Sequence, residues 1–166
     1  MDKSRELTAE LILNEYSLDD LTNVIRDFGE EKAARRIATL IIKEREITKF
    51  RTSTDLNKLI EANFKMNPKF LTKTLSRVYQ ALRIEVSREM EVLTTVLKDA
   101  LNILSPGGRL VIESYHSLED KIVKDFMKFE SLECTCPPNF PICICGKKST
   151  LKILTRKPLT ATREEL

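Results

Sequence analysis

The 166-residue sequence predicts an α/β chain with its helices concentrated in the first half. Two observations carry this. Up to about residue 104 the apolar residues recur at helical spacing between polar caps. From Ser105 the pattern changes. A Ser-Pro-Gly-Gly stop leads into the β-type run RLVIES at 109–114, then a helical run at 117–129, then a second β-type run at 151–155. Helix–turn–strand–helix–loop–strand is a piece of a layered α/β fold. One or two strands make no stable sheet alone, so the second half is expected to belong to a larger sheet.

Each element has a local reason. Residues 7–16 form the first helix. Ser17, with Asp20 three residues on, opens a second that stops near Gly29. Residues 30–46 form a longer helix, with Ala34, Ile37 and Ile41 on one face and an acidic first turn that suits the helix dipole. Thr52, Ser53 and Thr54 offer a cap for 55–64, and Pro68 marks a break. Two more helices are expected near 70–83 and 87–104. In the latter Leu93, Val96, Leu97, Ala100, Leu101 and Leu104 form a stripe read as core packing. Ser117, with Asp120 three residues later, reads as the cap of the 117–129 helix.

Charge adds a functional hint. The net charge of +3 hides a gradient. Residues 1–34 carry four basic and nine acidic side chains, residues 35–83 twelve and four, residues 84–166 twelve of each. Phe50, Phe64, Phe70 and Tyr79 lie among the middle cations. Spaced cations with aromatics suit a nucleic-acid surface, where cations release counterions and rings stack on bases. A solvated helical face with the aromatics in the core accounts for the same pattern. Every apolar run is interrupted by charge before it reaches membrane-spanning length, and MDKSRELTAE has no apolar signal core. The expectation is a cytoplasmic protein with no membrane partner.

Two clusters could carry chemistry. His116, the single histidine, follows the 109–114 run, where α/β enzymes place active sites. It is a catalytic candidate beside the plainer reading of a structural or exposed histidine. Cys134, Cys136, Cys143 and Cys145 form two C-x-C pairs around a proline-rich loop. Four thiolates that close could hold a structural zinc, with no open position for catalysis; reduced cysteines in a loop are the alternative. The four glycines fall in no G-x-G-x-x-G or P-loop pattern.

Four segments, GEEKAARRIATLII, QALRIEVSREME, LSPGGRLVIESYHSLEDKIVKDF and CTCPPNFPICICGKKSTLKILTRKPLT, resemble in order the later part of the RsmH (MraW) family. These are S-adenosylmethionine-dependent methyltransferases acting on N4 of a cytosine in 16S rRNA. The resemblance implies a partial Rossmann-like class I methyltransferase domain at 85–166, with the cysteine loop at 134–145, and an all-α inserted RNA-recognition domain at 1–84. It implies an RNA-facing role for Arg35, Arg36, Lys43, Gln80 and Arg83. It implies 16S rRNA in the small ribosomal subunit as partner, with the cofactor-binding half supplied by a missing N-terminal segment or a homodimer partner. No position here carries over the family's cofactor contacts, so this chain alone is expected to be inactive. A catalytically dead RNA-binding module is the alternative. The sequence departs from the family at Val86-Ser87 (usually Val-Asn), at Asn67-Pro68 (usually His-Pro), and at Glu164-Glu165-Leu166, where the family continues into a basic tail.

Overall fold

The computed structural model describes residues 7–65, 67–137, 142–155, 157–162 and 164. Residues 138–141 of the cysteine loop, and Glu165 and Leu166, lie outside these. Seven helices run in chain order: α1 Ala9–Glu15, α2 Leu18–Asp27, α3 Ala34–Ile47, α4 Ser53–Asn63, α5 Pro68–Ser87, α6 Glu89–Ile103 and α7 Ser117–Ser131. The chain divides into two compact units, Met1–Glu89 and Met90–Leu166, so the expected boundary at 84/85 falls inside α5.

In the first unit the caps fix the helix starts. Thr8 Oγ1 accepts the Leu11 N–H at 3.1 Å and opens α1. Ser17 Oγ accepts the Asp20 N–H at 3.1 Å and opens α2. Thr52 and Asp55 form a capping box for α4. Two expectations need correction. Pro68 is not a break but the first residue of α5, behind the N-cap Asn67; a helix's first N–H has no intrahelical partner, so proline loses nothing there. The helix expected from residue 30 starts at Ala34 and has no acidic first turn. Glu30 is left-handed at φ 49°, and Glu31 turns its carboxylate to the Ala33 N–H at 3.0 Å. At the far end of α5, Arg88 adopts φ 52°, which breaks α5 from α6.

The core of this unit is closed. Ile12, Leu21, Ile25, Ile37, Ile41 and Phe50 are fully or almost fully buried, and α2 packs on α3 and α5. Gly29 sits where α2 gives way to the turn beneath α5. A Cβ there would meet the Ile25 carbonyl at 2.6 Å and the Arg77 carbonyl at 2.7 Å, so glycine permits the close approach. Asn14 is buried and mimics a strand edge: its Nδ2 donates to the Phe50 carbonyl at 2.8 Å and its Oδ1 accepts the Phe50 N–H at 3.0 Å.

The second unit overturns the α/β expectation. Among the described residues there is no strand; every regular element is a helix. The partial Rossmann-like domain expected at 85–166 is therefore not what these residues form. The physical reason is pairing. A strand is held by a ladder to another strand, and the candidate runs find none. The Thr150 and Leu151 N–H groups donate to the Glu130 carbonyl at the end of α7, at 2.9 and 3.3 Å. Val111, at the centre of RLVIES, is 89% exposed. Among the described residues twelve large apolar side chains are exposed in this unit against three in the first, and Leu97 is its one buried hydrophobic residue. Its apolar surface is thus largely uncovered, unlike that of the first unit. No helix among the described residues is long and apolar enough to cross a membrane.

Candidate nucleic-acid interface and cysteine cluster

The five residues expected to face RNA are dispersed over the first unit. Arg35 pairs with Asp19 at 3.3 Å, both well exposed. Arg36 donates to the Asn63 carbonyl at 2.8 Å and lies 4.3 Å over the Phe64 ring, tying α3 to the end of α4. Gln80 donates to the Phe28 carbonyl at 3.1 Å and secures the end of α2. Arg83 pairs with Glu89 at 3.2 Å. Lys43 is exposed on α3. Arg36 and Gln80 thus hold helix ends in place, and Arg35 and Arg83 are engaged by carboxylates at the surface.

A different group converges. Glu31, Lys32, Asn67, Phe70, Lys73, Thr74 and Arg77 line a surface hollow of about 360 Å³. Phe70 is 64% exposed, so its ring is available rather than spent on the core. Glu31 is buried and holds Arg77 at 3.2 Å. Lys32 and Lys73 are exposed. Two exposed lysines and a solvent-facing ring around one hollow, with Arg77 held there by Glu31, are the pieces a single-stranded nucleic acid needs: phosphate contacts and a stacking platform. The sequence carries only the α5 part of this signal. Phe70, Lys73 and Arg77 recur at i, i+3, i+7, which puts them on one face of α5.

His116 has a local task. Its Nδ1 accepts the Glu119 N–H at 3.3 Å, which makes it the N-cap of α7, and the Glu119 carboxylate accepts the Tyr115 N–H at 2.8 Å. The Glu119 carboxylate thus reaches back past the N-cap, to the residue before it, while the imidazole takes the place of a capping hydroxyl. The expected Ser117–Asp120 cap is therefore corrected: Ser117 is the first helical residue, and Asp120 pairs with Lys124. With Nδ1 as acceptor, the neutral ring carries its proton on Nε2. Nε2 is buried and lies 3.4 Å from Glu119 Oε1 in a geometry that makes no hydrogen bond; it has no such partner among the described residues.

The four cysteines are brought together. Their Sγ atoms all lie within 4.8 Å of one another, and all four are free thiols. The Cys145 thiol is pulled down to about 5 by the backbone N–H of Thr135, then by that of Lys147. At Cys134 the Cys136 N–H pulls the same way, but hydrogen bonds with the Cys143, Cys136 and Cys145 thiols outweigh it and push Cys134 up to about 12. Closely packed thiols divide their protons unequally, as interacting sites do.

Comparison with known proteins finds the chain similar to proteins named as methyltransferases. It is 46% identical to a protein of Caldicellulosiruptor saccharolyticus named ribosomal RNA small subunit methyltransferase H, over all of this chain and 54% of that one. It is 44% identical to ribosomal RNA small subunit methyltransferase H 2 of Agathobacter rectalis, over all of this chain and 53% of that one. A methyltransferase H of Halothermothrix orenii is 40% identical, with 54% of it covered. The chain spans about half the length of the curated relatives it matches. It belongs to the MraW methylase family, whose model matches residues 1–166.

Proposed function

We propose that the chain engages small-subunit rRNA as the later, RNA-binding portion of an S-adenosylmethionine-dependent methyltransferase acting on a cytosine N4. The observation that carries the reading is the hollow on α5, with exposed Phe70 between Lys32, Lys73 and Arg77. RNA contacts by Arg35, Arg36, Lys43, Gln80 and Arg83, which lie outside the lining of the hollow, are also part of this proposal. The names of the relatives supply the RNA class. The cofactor pocket comes from family sequence outside this chain, since none of its four glycines sits in a phosphate- or nucleotide-binding pattern. His116 enters as the catalytic candidate through Nε2, the ring nitrogen not used by the α7 cap. The cytoplasm, where ribosomal subunits are made, is the compartment this reading requires.

A single-stranded oligonucleotide from the small-subunit rRNA, followed by fluorescence anisotropy, tests the RNA half. Affinity should fall steeply with salt. Phe70→Ala should weaken it roughly 5- to 150-fold, the range set by about 1–3 kcal/mol per stacked base. Binding indifferent to both sinks the RNA reading. Calorimetry tests the other half: the chain alone should not take up S-adenosylmethionine, and micromolar binding would overturn that. The rival reading, an RNA-binding module without catalysis, draws on the closed core of the first unit. It is separated by mixing the chain with a family N-terminal half: restored methylation excludes it.

A further inference from the structure

We propose that Cys134, Cys136, Cys143 and Cys145 form a closed tetrahedral Zn²⁺ site that staples the segment after α7, a role separate from RNA binding and methyl transfer. The argument starts from distances. Zinc–thiolate bonds are about 2.3 Å, so the edges of a regular ZnS₄ tetrahedron are about 3.8 Å. Here Cys134–Cys143 is 3.4 Å, Cys143–Cys145 3.5 Å, Cys134–Cys145 3.7 Å and Cys136–Cys143 3.9 Å. These edges bracket the expected one, and all four sulfurs lie within 4.8 Å of each other. A disulfide needs about 2.05 Å, so the arrangement is four separate ligands rather than two bridges.

The backbone supports the same species. The Cys136 N–H donates to Cys134 Sγ at 3.3 Å, and the Thr135 N–H to Cys145 Sγ at 3.4 Å. The first C-x-C pair thus turns one peptide N–H onto its own sulfur and one onto a sulfur of the second pair. Such donors offset the negative charge of metal-bound thiolates and orient them, as outer partners of metal ligands do. A hydrophobic explanation for the cluster fails, because Cys134, Cys143 and Cys145 are exposed and gain little from burial.

Thiolate ligands select Zn²⁺ or iron over hard cations, and four thiolates in a tetrahedron leave no position for substrate. On binding, Zn²⁺ replaces the thiol protons, which pass to solvent; no electron is transferred. The staple would fix a segment already docked on α7. Thr150 and Leu151 cap the Glu130 carbonyl, Thr150 Oγ1 donates to Glu130 Oε2 at 2.6 Å, and Lys147 lies 4.3 Å over the Phe129 ring. In a unit that buries so little apolar surface, a metal replaces part of the missing core.

The test uses the whole 166-residue chain, purified under reducing conditions from zinc-supplemented cells. Elemental analysis should find one zinc per chain and no stoichiometric iron. Chelation should make all four thiols reactive to a thiol reagent and speed amide exchange over residues 142–151; added zinc should reverse both. Cobalt added to the metal-free chain should give a thiolate-to-metal charge-transfer band, lost in Cys143→Ser. The wild-type chelation cycle decides the matter even where that variant fails to fold. Zinc below about a tenth of an equivalent, stoichiometric iron, a mass showing disulfides, or exchange indifferent to chelation would each overturn the proposal.

Discussion

Replacing Asn14 by leucine probes what holds the first unit together. Asn14 is 8% exposed, and its amide satisfies both backbone groups of Phe50, at 2.8 and 3.0 Å, from 36 residues away. Leucine has a similar volume and a better helix propensity, so α1 should survive. The Phe50 N–H and carbonyl would then be buried without partners. Each such group costs roughly 1–3 kcal/mol, so the pair gives about 2–6. Removing a buried amide in favour of an apolar side chain returns about 1 kcal/mol. The net loss is about 1–5 kcal/mol, a large part of the ~5–15 kcal/mol that stabilises an ordinary domain. In urea, with a slope near ~1 kcal/mol per molar for a unit of this size, the midpoint should fall by about 1 M or more, followed by helical circular dichroism. The Phe50 amide should also lose its protection from hydrogen exchange. A midpoint shift under about 0.5 M, or an unchanged Phe50 amide, would refute the assigned role.

Three further outcomes follow from named contacts. Tyr16 is pushed up to about 12, first by burial and then by donating to Glu85 at 2.7 Å. Its folded value lies above its unfolded value of 10.0, so its contribution is complete below pH 10 and is lost as pH rises through 12. Because the ring is only partly buried, about 1 kcal/mol is expected, and denaturant titrations across that window should lose the dependence in Tyr16→Phe. Gly29→Ala places a Cβ 2.6 Å from one carbonyl and 2.7 Å from another; calorimetric unfolding should show a loss of about 1–3 kcal/mol, and a neutral result would mean that α5 does not approach so closely. At His116, asparagine should preserve the α7 cap to within about 0.5 kcal/mol where alanine costs about 1 kcal/mol, and equal losses would refute the cap.

What could be read from the sequence follows what is local. The Ser17–Asp20 cap, a cap within Thr52, Ser53 and Thr54, and the Ala34–Ile37–Ile41 face were legible because each depends on residues within one or two turns. Pro68 was misread because proline serves both as a break and as a first helical residue, and only Asn67 as N-cap decides between them. The Glu30–Ala34 start was missed because Glu31 is claimed by Arg77, 46 residues on. The strand reading failed for a related reason: β-type composition describes what a run could do beside a partner strand, and partnership is not local. The cysteine cluster was legible from spacing alone. The α5 hollow was not, since it needs Lys32 from before α3 beside Phe70, Lys73 and Arg77 on α5.

The two units differ in a way that bears on how a chain spanning about half the length of its relatives could work. The first closes its own core and carries the basic hollow, so RNA affinity should reside there without help. The second leaves Val111, Tyr115, Ile103 and Leu159 more than 80% exposed. Exposed apolar surface on that scale ordinarily meets a partner. On the proposed reading the partner is the cofactor-binding part of the family protein, whose relatives are about twice as long as this chain. Catalysis would then depend on covering the second unit, while RNA binding would not. The two can therefore fail separately: a chain that binds RNA with the expected salt slope but stays inert with every family N-terminal half would keep the α5 interface and lose the shared catalytic assembly.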